Sequence, residues 1–300
     1  MFAPIVLFVY NRVDHTQKII ESIGRCPEAL ESELYIFSDG PKNEQAASKV
    51  KEVRAYIHNE KIQASFKNVN IIEAPKNKGL ANSVISGVTR VMNQYGRAIV
   101  VEDDNIAAPG FLRFMNAALD FYEHNPRIWS IGGYTPKITI PSDYKHDVFI
   151  MDKGSSYAWA TWKDRWDSID WEIRDYPSFK RNFRLRRAFN RVGNDRCDML
   201  QAQMEGRIDS WAIRFTYNAF RQNKMFVLPA KSLISNTGND GSGVHVGNGD
   251  TRFDVDIEDC MQELKLEDVE FDRRIQKEIA KLMHVSFLRH LKMKVKRLLR

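Results

Sequence analysis

The stretch AIVVEDDNIAAPGF (Ala98–Phe111) places three acids at the end of an apolar run. Glu102, Asp103 and Asp104 follow four small or apolar residues, and a Pro-Gly pair then turns the chain. Like charges this close repel one another and lose hydration when partly buried, so they do not stabilise a fold by themselves. We therefore expect a positive group beside them.

The composition is that of an ordinary soluble globular protein. The 300 residues are 43% hydrophobic and 28% charged, which suits one large domain or two intimate ones. Cys26, Cys197 and Cys260 are far apart and form no CxxC, so we expect no disulfide framework, no thiolate metal site and a reducing compartment. The apolar N-terminal run is interrupted at Asn11 and Arg12, which favours a strand over a signal segment.

Positive charge is concentrated at the C-terminal end. Arg273–Arg300 contains ten Lys and Arg against one acid, Glu278, so it carries +9 while the first 272 residues carry −3 of the net +6. A mildly acidic body argues against nucleic acid as a partner. Apolar residues from Ile275 to Leu298 recur near helical spacing, which predicts an amphipathic helix, either docked on the body or bound to an anionic membrane.

Strand and helix patterns alternate through the first hundred residues. Strands are predicted at Ile5–Tyr10, Glu33–Ser38, Val69–Ala74 and Arg97–Val101, with helices between them that include Ala46–Ile57 and Leu80–Tyr95. Such alternation predicts an α/β fold with a mixed, mostly parallel sheet flanked by helices, and ligands bind at the carboxyl ends of its strands. Asn11-Arg12, Asp39-Gly40 and the acidic cluster lie at such ends, so we expect them to converge.

The second half of the chain is rich in aromatic residues. All six tryptophans fall between Trp129 and Trp211, where they either build a core or stack on sugar faces, with core the expected use for most. Lys180–Arg191 is expected to be a solvated helix face. Ser235–Gly249 is rich in Gly and Asn, which predicts a loop.

Acids at the end of a strand commonly hold a divalent cation that bridges phosphate oxygens. Mn²⁺ and Mg²⁺ accept carboxylate oxygens, and one or two carboxylates suffice when substrate phosphates complete the shell. A P-loop ATPase is excluded because no GxxxxGK[ST] occurs. No GxGxxG follows the first strand, which argues against a dinucleotide-binding protein. The remaining alternative is that Asp104 or Asn105 caps a following helix.

The motifs at the strand ends resemble those of GT-A glycosyltransferases, especially family 2 and the N-acetylglucosaminyltransferase I branch. The resemblance rests on VVEDDNIAAPGF as a DxD-type element, VYNR, SDG and NKGLANS, and more weakly on SSYAWATW, IDSWAIRF and LPAKSLISNTGNDGSGVH. It implies a Rossmann-like GT-A fold with a nucleotide-sugar-binding half at 1–105, an acceptor-binding half at 106–250 and a helical, basic C-terminal tail at 251–300.

The resemblance also implies roles for single residues. Arg12 and Asp39 would contact the nucleotide base, and Lys78 and Asn82 would lie near the base or the donor sugar. In the acidic cluster, Asp103 would bind ribose or sugar hydroxyls and Asp104 would ligate Mn²⁺ or Mg²⁺. Glu102 would support these two aspartates. Each has a simpler interpretation: a surface ion pair for Arg12, a turn residue for Asp39, and a turn before a helix for Lys78-Gly79.

A base is needed to take the proton from the acceptor hydroxyl if the reaction inverts configuration. Asp209 in GRIDSWAIRF resembles the base-bearing segment, and its neighbour Trp211 is expected to limit solvent around it and raise its pKa. Glu205 and Asp240 are the reserve candidates. The alternative is that Asp209-Ser210 caps a helix over Trp211–Gln222.

His245 lies in the Gly-rich segment, which is a candidate lid. The resemblance implies that this histidine binds the metal or the diphosphate, and the alternative is a solvated loop histidine.

These expectations define a metal-dependent, inverting hexosyl- or N-acetylhexosaminyltransferase. It would move a sugar from a UDP-sugar to a lipid-linked glycan acceptor in bacterial O-antigen or capsule assembly. We expect a cytoplasmic location, free or peripheral at the inner face of the cell membrane through the basic tail. The alternatives are a sugar-nucleotide nucleotidyltransferase, which would need a glycine-rich loop after the first strand, and a non-catalytic nucleotide-sugar-binding protein.

Overall fold

Strands and helices alternate along most of the chain. The structure, a computed structural model, describes residues 1–238, 251–257 and 264–284. The β-strands are β1 (Ile5–Val9), β2 (Glu33–Ser38), β3 (Asn68–Glu73), β4 (Arg97–Glu102), β5 (Asn105–Ala107), β6 (Ile128–Gly132), β7 (Val148–Met151), β8 (Trp159–Trp162), β9 (Met225–Pro229) and β10 (Ile234–Asn236).

The helices pack on both faces of the strands. They are α1 (Val13–Gly24), α2 (Glu44–Ile57), α3 (Glu60–Ser65), α4 (Leu80–Tyr95), α5 (Phe111–Tyr122), α6 (Lys163–Asp167), α7 (Tyr176–Arg181), α8 (Phe183–Phe189), α9 (Arg196–Met204), α10 (Trp211–Arg221) and α11 (Arg273–Met283), with short 3₁₀ helices at Pro27–Glu31, Asn190–Val192 and Thr251–Phe253.

Eight strands form one mixed sheet in the order β3-β2-β1-β4-β8-β6-β9-β7. The first four pair in parallel, whereas β8 is antiparallel to β4 and β6, and β7 is antiparallel to β9. This confirms the predicted α/β fold class. The predicted strand bounds in the first hundred residues agree with the structure to within one residue, and the helix Leu80–Tyr95 agrees at both ends.

The central strands are buried on both faces, which explains their continuous apolar runs. In β1, Ile5 and Leu7 face a core layer shared with α1 and α5, and Val6 and Phe8 face a second layer shared with α4. A strand with both faces covered has no polar face, so β1 reads IVLFV without alternation.

Tryptophan rings dominate the second core layer. Trp159 stacks on Trp211 at 5.0 Å and on Trp166 at 5.8 Å between ring centroids, and Trp129 contacts Phe215 beside them. All six tryptophans except Trp171 are buried. The prediction that most of them build core is therefore confirmed.

The C-terminal helix docks on the body as far as it is described. Ile275 and Ile279 of α11 are buried against Val192 and Phe149. The described helix ends at Met283, and His284 has an extended backbone, so the predicted helical pattern is confirmed only as far as Met283. Residues 285–300 lie outside the described part of the chain.

A second correction concerns the predicted loop Ser235–Gly249. Ile234–Asn236 forms β10, which pairs with β5 in a small antiparallel sheet beside the acidic cluster. Residues 239–250, including His245 and Asp240, lie outside the described residues. No helix in the described ranges is long and apolar enough to span a membrane.

Candidate functional site

The carboxyl ends of β1 and β4 meet where the strand order reverses. The chain winds from β1 to β2 to β3 on one side, and β4 then pairs with the other side of β1. Loops leaving two such strands turn to opposite faces of the sheet and leave a crevice, where α/β proteins bind ligands. Arg12 follows β1 at this crevice, and Asp103 and Asp104 follow β4.

Arg12 is the positive group expected beside the acids. Its Nη2 donates to Asp103 Oδ1 and, at 3.3 Å, to Asp104 Oδ2, and its Nε donates to Asp103 Oδ2 at 3.3 Å. Burial lowers the pKa of the guanidinium, but the two carboxylates outweigh this and raise it. Arg12 therefore stays charged and joins the two strand ends.

Asp104 is held from the side of β10. Its Oδ1 accepts from Asn105 Nδ2 at 3.0 Å and from Asn236 Nδ2 at 2.9 Å, and its carbonyl accepts from the Thr237 N–H at 2.7 Å. A Cβ at Gly238 would lie 2.6 Å from Asp104 Oδ2, so a side chain there would displace the carboxylate. Three residues of β10 and its end thus fix the orientation of Asp104.

The interpretation of Asp104 or Asn105 as a helix cap is wrong. Asn105 begins β5, and the next helix, α5, starts only at Phe111 with Gly110 at its N-cap. The acidic cluster is therefore not explained by helix termination.

Glu102 lies under the two aspartates. Burial, with the charges of Asp104 and Asp103, raises the pKa of Glu102 to about 8, and a hydrogen bond from the Trp211 side chain acts in the opposite direction. Burial also raises the pKa of Asp103, against the effect of its ion pair with Arg12. When all three acids are ionised, the single guanidinium leaves two negative charges uncompensated.

Asp39 anchors the loop before α4. Its carboxylate accepts from four donors: the backbone N–H groups of Gly40, Lys78 and Gly79 at 2.8 to 3.2 Å and Asn77 Nδ2 at 3.1 Å. Gly79 has φ of +79°, a conformation that favours glycine. The structure thus joins two of the sequence motifs, SDG and NKG, through one carboxylate.

Lys78 and Asn82 lie at the same corner with exposed side chains. The Lys78 backbone N–H donates to Asp39, whereas Asn82 Nδ2 donates to the Lys78 carbonyl at 3.0 Å, just before α4 begins. The Asn82 side chain is thus tied back to the loop before α4.

Asp209 lies opposite the loop that Asp39 anchors. Its Oδ2 accepts from the Ala81 N–H at 3.4 Å, and that oxygen is 3.0 Å from where a Gly79 Cβ would stand. Arg214 Nη2 is 3.8 Å from Oδ1. Asp209 therefore faces the N-terminus of α4, although it is distant from this helix in sequence.

Two expectations for this segment need correction. The alternative that Asp209-Ser210 caps the helix is confirmed for Ser210, whose side chain accepts from the Ile213 N–H at the start of α10, and is wrong for Asp209. The Asp209 side chain is 52% exposed, because Trp211 packs on Trp159 and hydrogen-bonds to Glu102 and does not shelter its neighbour. The reserve Glu205 is exposed and pairs with Arg207.

The residues fit a divalent cation bound partly by a ligand. The described ranges contain no group of three or more His, Cys, Asp or Glu side chains gathered to hold a metal ion alone. Asp104 and Asp103 nevertheless offer carboxylate oxygens in a locally negative crevice, and Mn²⁺ or Mg²⁺ needs only one or two of these when phosphates supply the rest.

Sequence reasoning missed the residues that support the site. Asn77 helps to hold Asp39, and Asn236 and Thr237 hold Asp104. His15 Nε2 lies 3.4 Å from the Thr237 carbonyl, next to the same cluster. Their only signal was an excess of Asn, Thr and Gly near the motifs, which is equally typical of loops.

Comparisons with known proteins give distant likenesses in fold. No protein family profile and no curated protein matches the chain. Among solved structures, Staphylococcus aureus TarS residues 1–349 aligns with 11% identity and a TM-score of 0.46, over 80% of this chain and 62% of that one. TarS 1–349 in complex with UDP-GlcNAc aligns with 11% identity and a TM-score of 0.44, over 78% and 58%.

A mannosyltransferase, PcManGT from Pyrobaculum calidifontis in complex with GDP-Man and Mn²⁺, aligns with 11% identity and a TM-score of 0.36, over 54% of this chain and 44% of that one. The chain thus spans less than two thirds of the length of each of these structures.

The raised pKa of Glu102 predicts a pH-dependent stability difference in chelator-treated protein. Between pH 4.5 and about 8 the unfolded chain has released a proton that the folded protein keeps, so this residue makes the free energy of unfolding fall as pH rises. Glu102→Gln removes that effect. We expect the variant to be about 1–3 kcal/mol more stable than wild type at pH 8, with a smaller difference at pH 5, in urea unfolding.

Glu205→Gln is the control, because hydrogen bonds from Gln201 and Arg207 lower the pKa of Glu205. Removing that carboxylate should therefore change the pH dependence of the free energy of unfolding in the opposite direction. An equal gain from Glu102→Gln at both pH values would contradict the assignment of buried, mutually repelling charge to this cluster.

Replacing Asp39 should loosen the loop before α4. In Asp39→Asn one acceptor oxygen becomes an amide donor that faces backbone N–H groups, so we expect a loss of about 1–3 kcal/mol in the free energy of unfolding. Faster hydrogen exchange at Lys78 and Gly79 should accompany it. Asp167→Asn removes an exposed ion pair with Lys163 and should cost under about 1 kcal/mol. Similar losses in the two variants would refute the anchoring role.

Proposed function

We propose that the chain is a metal-dependent glycosyltransferase of the GT-A type that transfers a sugar from a UDP-sugar to a glycan acceptor with inversion. The observation that carries the proposal is the meeting of Arg12 with Asp103 and Asp104 at the strand-order reversal. A cation and paired acids at that crevice suit a ligand that bears a diphosphate and arrives with a divalent metal ion. The resemblance of the motifs to the N-acetylglucosaminyltransferase I branch supports the donor class.

Arg12 has a donor left for a ligand. Its Nη1 is buried and, within the described part of the chain, has no hydrogen-bond partner, although Nη2 and Nε are paired with the acids. A buried unpaired N–H is costly, and a carbonyl of the base or a phosphate oxygen would satisfy it. We assign Arg12 this contact.

Asp39 acts mainly by positioning. Because its carboxylate already accepts from four donors, we assign it the task of holding Lys78 and Gly79 against the nucleotide, in addition to the base contact that the resemblance implies. Lys78 and Asn82 then lie on the exposed rim of the donor site. Asp103 would receive ribose or sugar hydroxyls on the inner side.

Asp104, supported by Asp103 and Glu102, would hold Mn²⁺ or Mg²⁺. When bound, the ion compensates the charge of the diphosphate leaving group. Asn236 and Thr237 keep Asp104 oriented without the metal ion as well. His245 stays a proposed further ligand from the Gly-rich segment.

Asp209 is the proposed base. It lies beside Gly79, at the N-terminus of α4, and half of its side chain is open to solvent where an acceptor hydroxyl could approach. The cationic Arg214 lies 3.8 Å away. The carboxylate would take the acceptor proton as the glycosidic bond forms and the bond to the UDP oxygen breaks.

The remaining assignments follow the proposed halves. Residues 1–105 would bind the nucleotide sugar, 106–250 the acceptor, and 251–300 would form the basic C-terminal part. A lipid-linked glycan in bacterial O-antigen or capsule assembly would be presented at the inner face of the cell membrane, where the basic residues after α11 meet anionic lipid.

The donor site is tested by thermal shift. We expect a UDP-sugar with Mn²⁺ to raise the Tm by about 3 °C or more at saturating ligand, whereas GDP- and dTDP-sugars have smaller effects. Asp104→Ala should abolish the response, and Asp120→Ala, a surface acid paired with Arg97, should keep it. No response in the wild type, or an equal response in Asp104→Ala, would refute the site.

The base is tested by turnover of UDP-sugar, with release of UDP as the readout. Asp209→Asn should lower kcat by a factor of about 10² or more and leave the UDP-sugar thermal shift unchanged, because the residue acts on the acceptor and not on the donor. Glu205→Gln is the matched control and should turn over normally. Normal turnover in Asp209→Asn would remove it from the mechanism.

A further inference from the structure

An arginine-lined groove lies away from the crevice, between α8 and the end of α11. Its volume is about 800 Å³. We call it the α8 groove and define it by Phe183, Arg184, Arg187, Arg191 and His284, which line it together with several neighbours.

The groove carries a concentrated positive charge. Lys180–Arg191 contains six Lys and Arg and no acid, although the first 272 residues together carry −3. Arg184, Arg187 and Arg191 are exposed, and none of them forms an ion pair within the ranges that the structure describes. Arginines this close repel one another, so the fold gains nothing from gathering them.

The fold of this region depends on other side chains. Phe179 and Phe189 pack edge-on against Tyr217 of α10 at 5.0 and 5.5 Å, and the buried Arg196 lies over the Phe189 ring at 4.0 Å. The three exposed arginines take no part in this packing. They are therefore available to a partner.

Phe183 adds an apolar side chain to the charged face. It is 74% exposed, at the first position of α8, next to Arg184. A phenylalanine in water beside guanidinium groups is the pattern of surfaces that enter a lipid headgroup region, where the ring reaches the acyl boundary and the cations meet phosphates.

The chemistry of the groove selects among its possible occupants. Residues 285–300, which follow His284 in the sequence, contain six Lys and Arg and no acid, so their charge does not complement that of the groove. Both cationic stretches instead suit one extended anionic surface.

We propose that the α8 groove binds the surface of an anionic phospholipid bilayer, with Phe183 inserted between headgroups and the three arginines on lipid phosphates. This assigns a folded membrane-contact face in addition to the basic chain end. This face packs on Tyr217 of α10, and the first residue of α10, Trp211, donates a hydrogen bond to Glu102. Membrane contact would therefore orient the crevice as well.

The test is flotation of the full-length chain with vesicles of 30% phosphatidylglycerol in phosphatidylcholine, against vesicles of phosphatidylcholine alone. We expect binding only to the anionic vesicles, weakened by salt. The triple variant Arg184→Glu/Arg187→Glu/Arg191→Glu should bind at least about tenfold more weakly. Phe183→Ala should bind about threefold or more weakly at high salt, where the apolar contribution remains.

Matched controls carry the same changes elsewhere. Lys49→Glu/Lys51→Glu/Lys67→Glu alters the net charge equally on exposed positions of α2 and the segment after α3, and Phe121→Ala removes another exposed ring. Both should bind like wild type, and all variants should keep the UDP-sugar thermal shift, so a failure of this proposal is distinct from a failure of the donor site.

Three results would overturn the proposal. These are equal binding to both vesicle types, unchanged binding of the α8 triple variant, and tight binding of a single-stranded oligonucleotide that the same triple variant loses. The last would identify the groove as a nucleic-acid surface.

Discussion

The contact of Arg12 with Asp103 and Asp104 is the constraint around which the site is arranged. It joins the ends of β1 and β4 where the strand order reverses, and it compensates part of a charge that would otherwise oppose folding. The same contact leaves a net negative crevice, and burial, together with the charges of Asp104 and Asp103, raises the pKa of Glu102 there. A protein selected only for stability would replace such a cluster by apolar residues.

The neighbouring elements serve this cluster by holding its members in place. Asn236 and Thr237 reach Asp104 from the small sheet, and Trp211 reaches Glu102 from the tryptophan layer. Asp39 ties the next strand end to the start of α4. The side chains that a ligand would meet are thus fixed by a surrounding set of hydrogen bonds, which reduces the reorganisation needed on binding.

The aromatic layer connects the two halves of the sheet. Trp159 belongs to β8, which pairs with β4, and its ring stacks on Trp211 at the start of α10. Asp209 therefore reaches the loop before α4 because large rings position the start of α10, and not because of any local signal in its own segment. The cationic face of α8 is tied to the same helix through Tyr217.

Local patterns determined much of this protein. Buried parallel strands require continuous apolar runs and end in polar turns, so Ile5–Val9, Glu33–Ser38 and the acidic end of β4 could be read directly, and with them the α/β fold and the crevice. Long-range packing decided the rest. The partners of Asp39, Asp104 and Glu102 lie up to more than a hundred residues away, and the face on which Ile275 and Ile279 of α11 pack is supplied by Phe149 and Val192, which are also distant in sequence. Periodicity along a chain shows which face of a helix or strand is apolar. Which group packs against that face depends on how elements distant in sequence come together, and this is decided only in the tertiary structure.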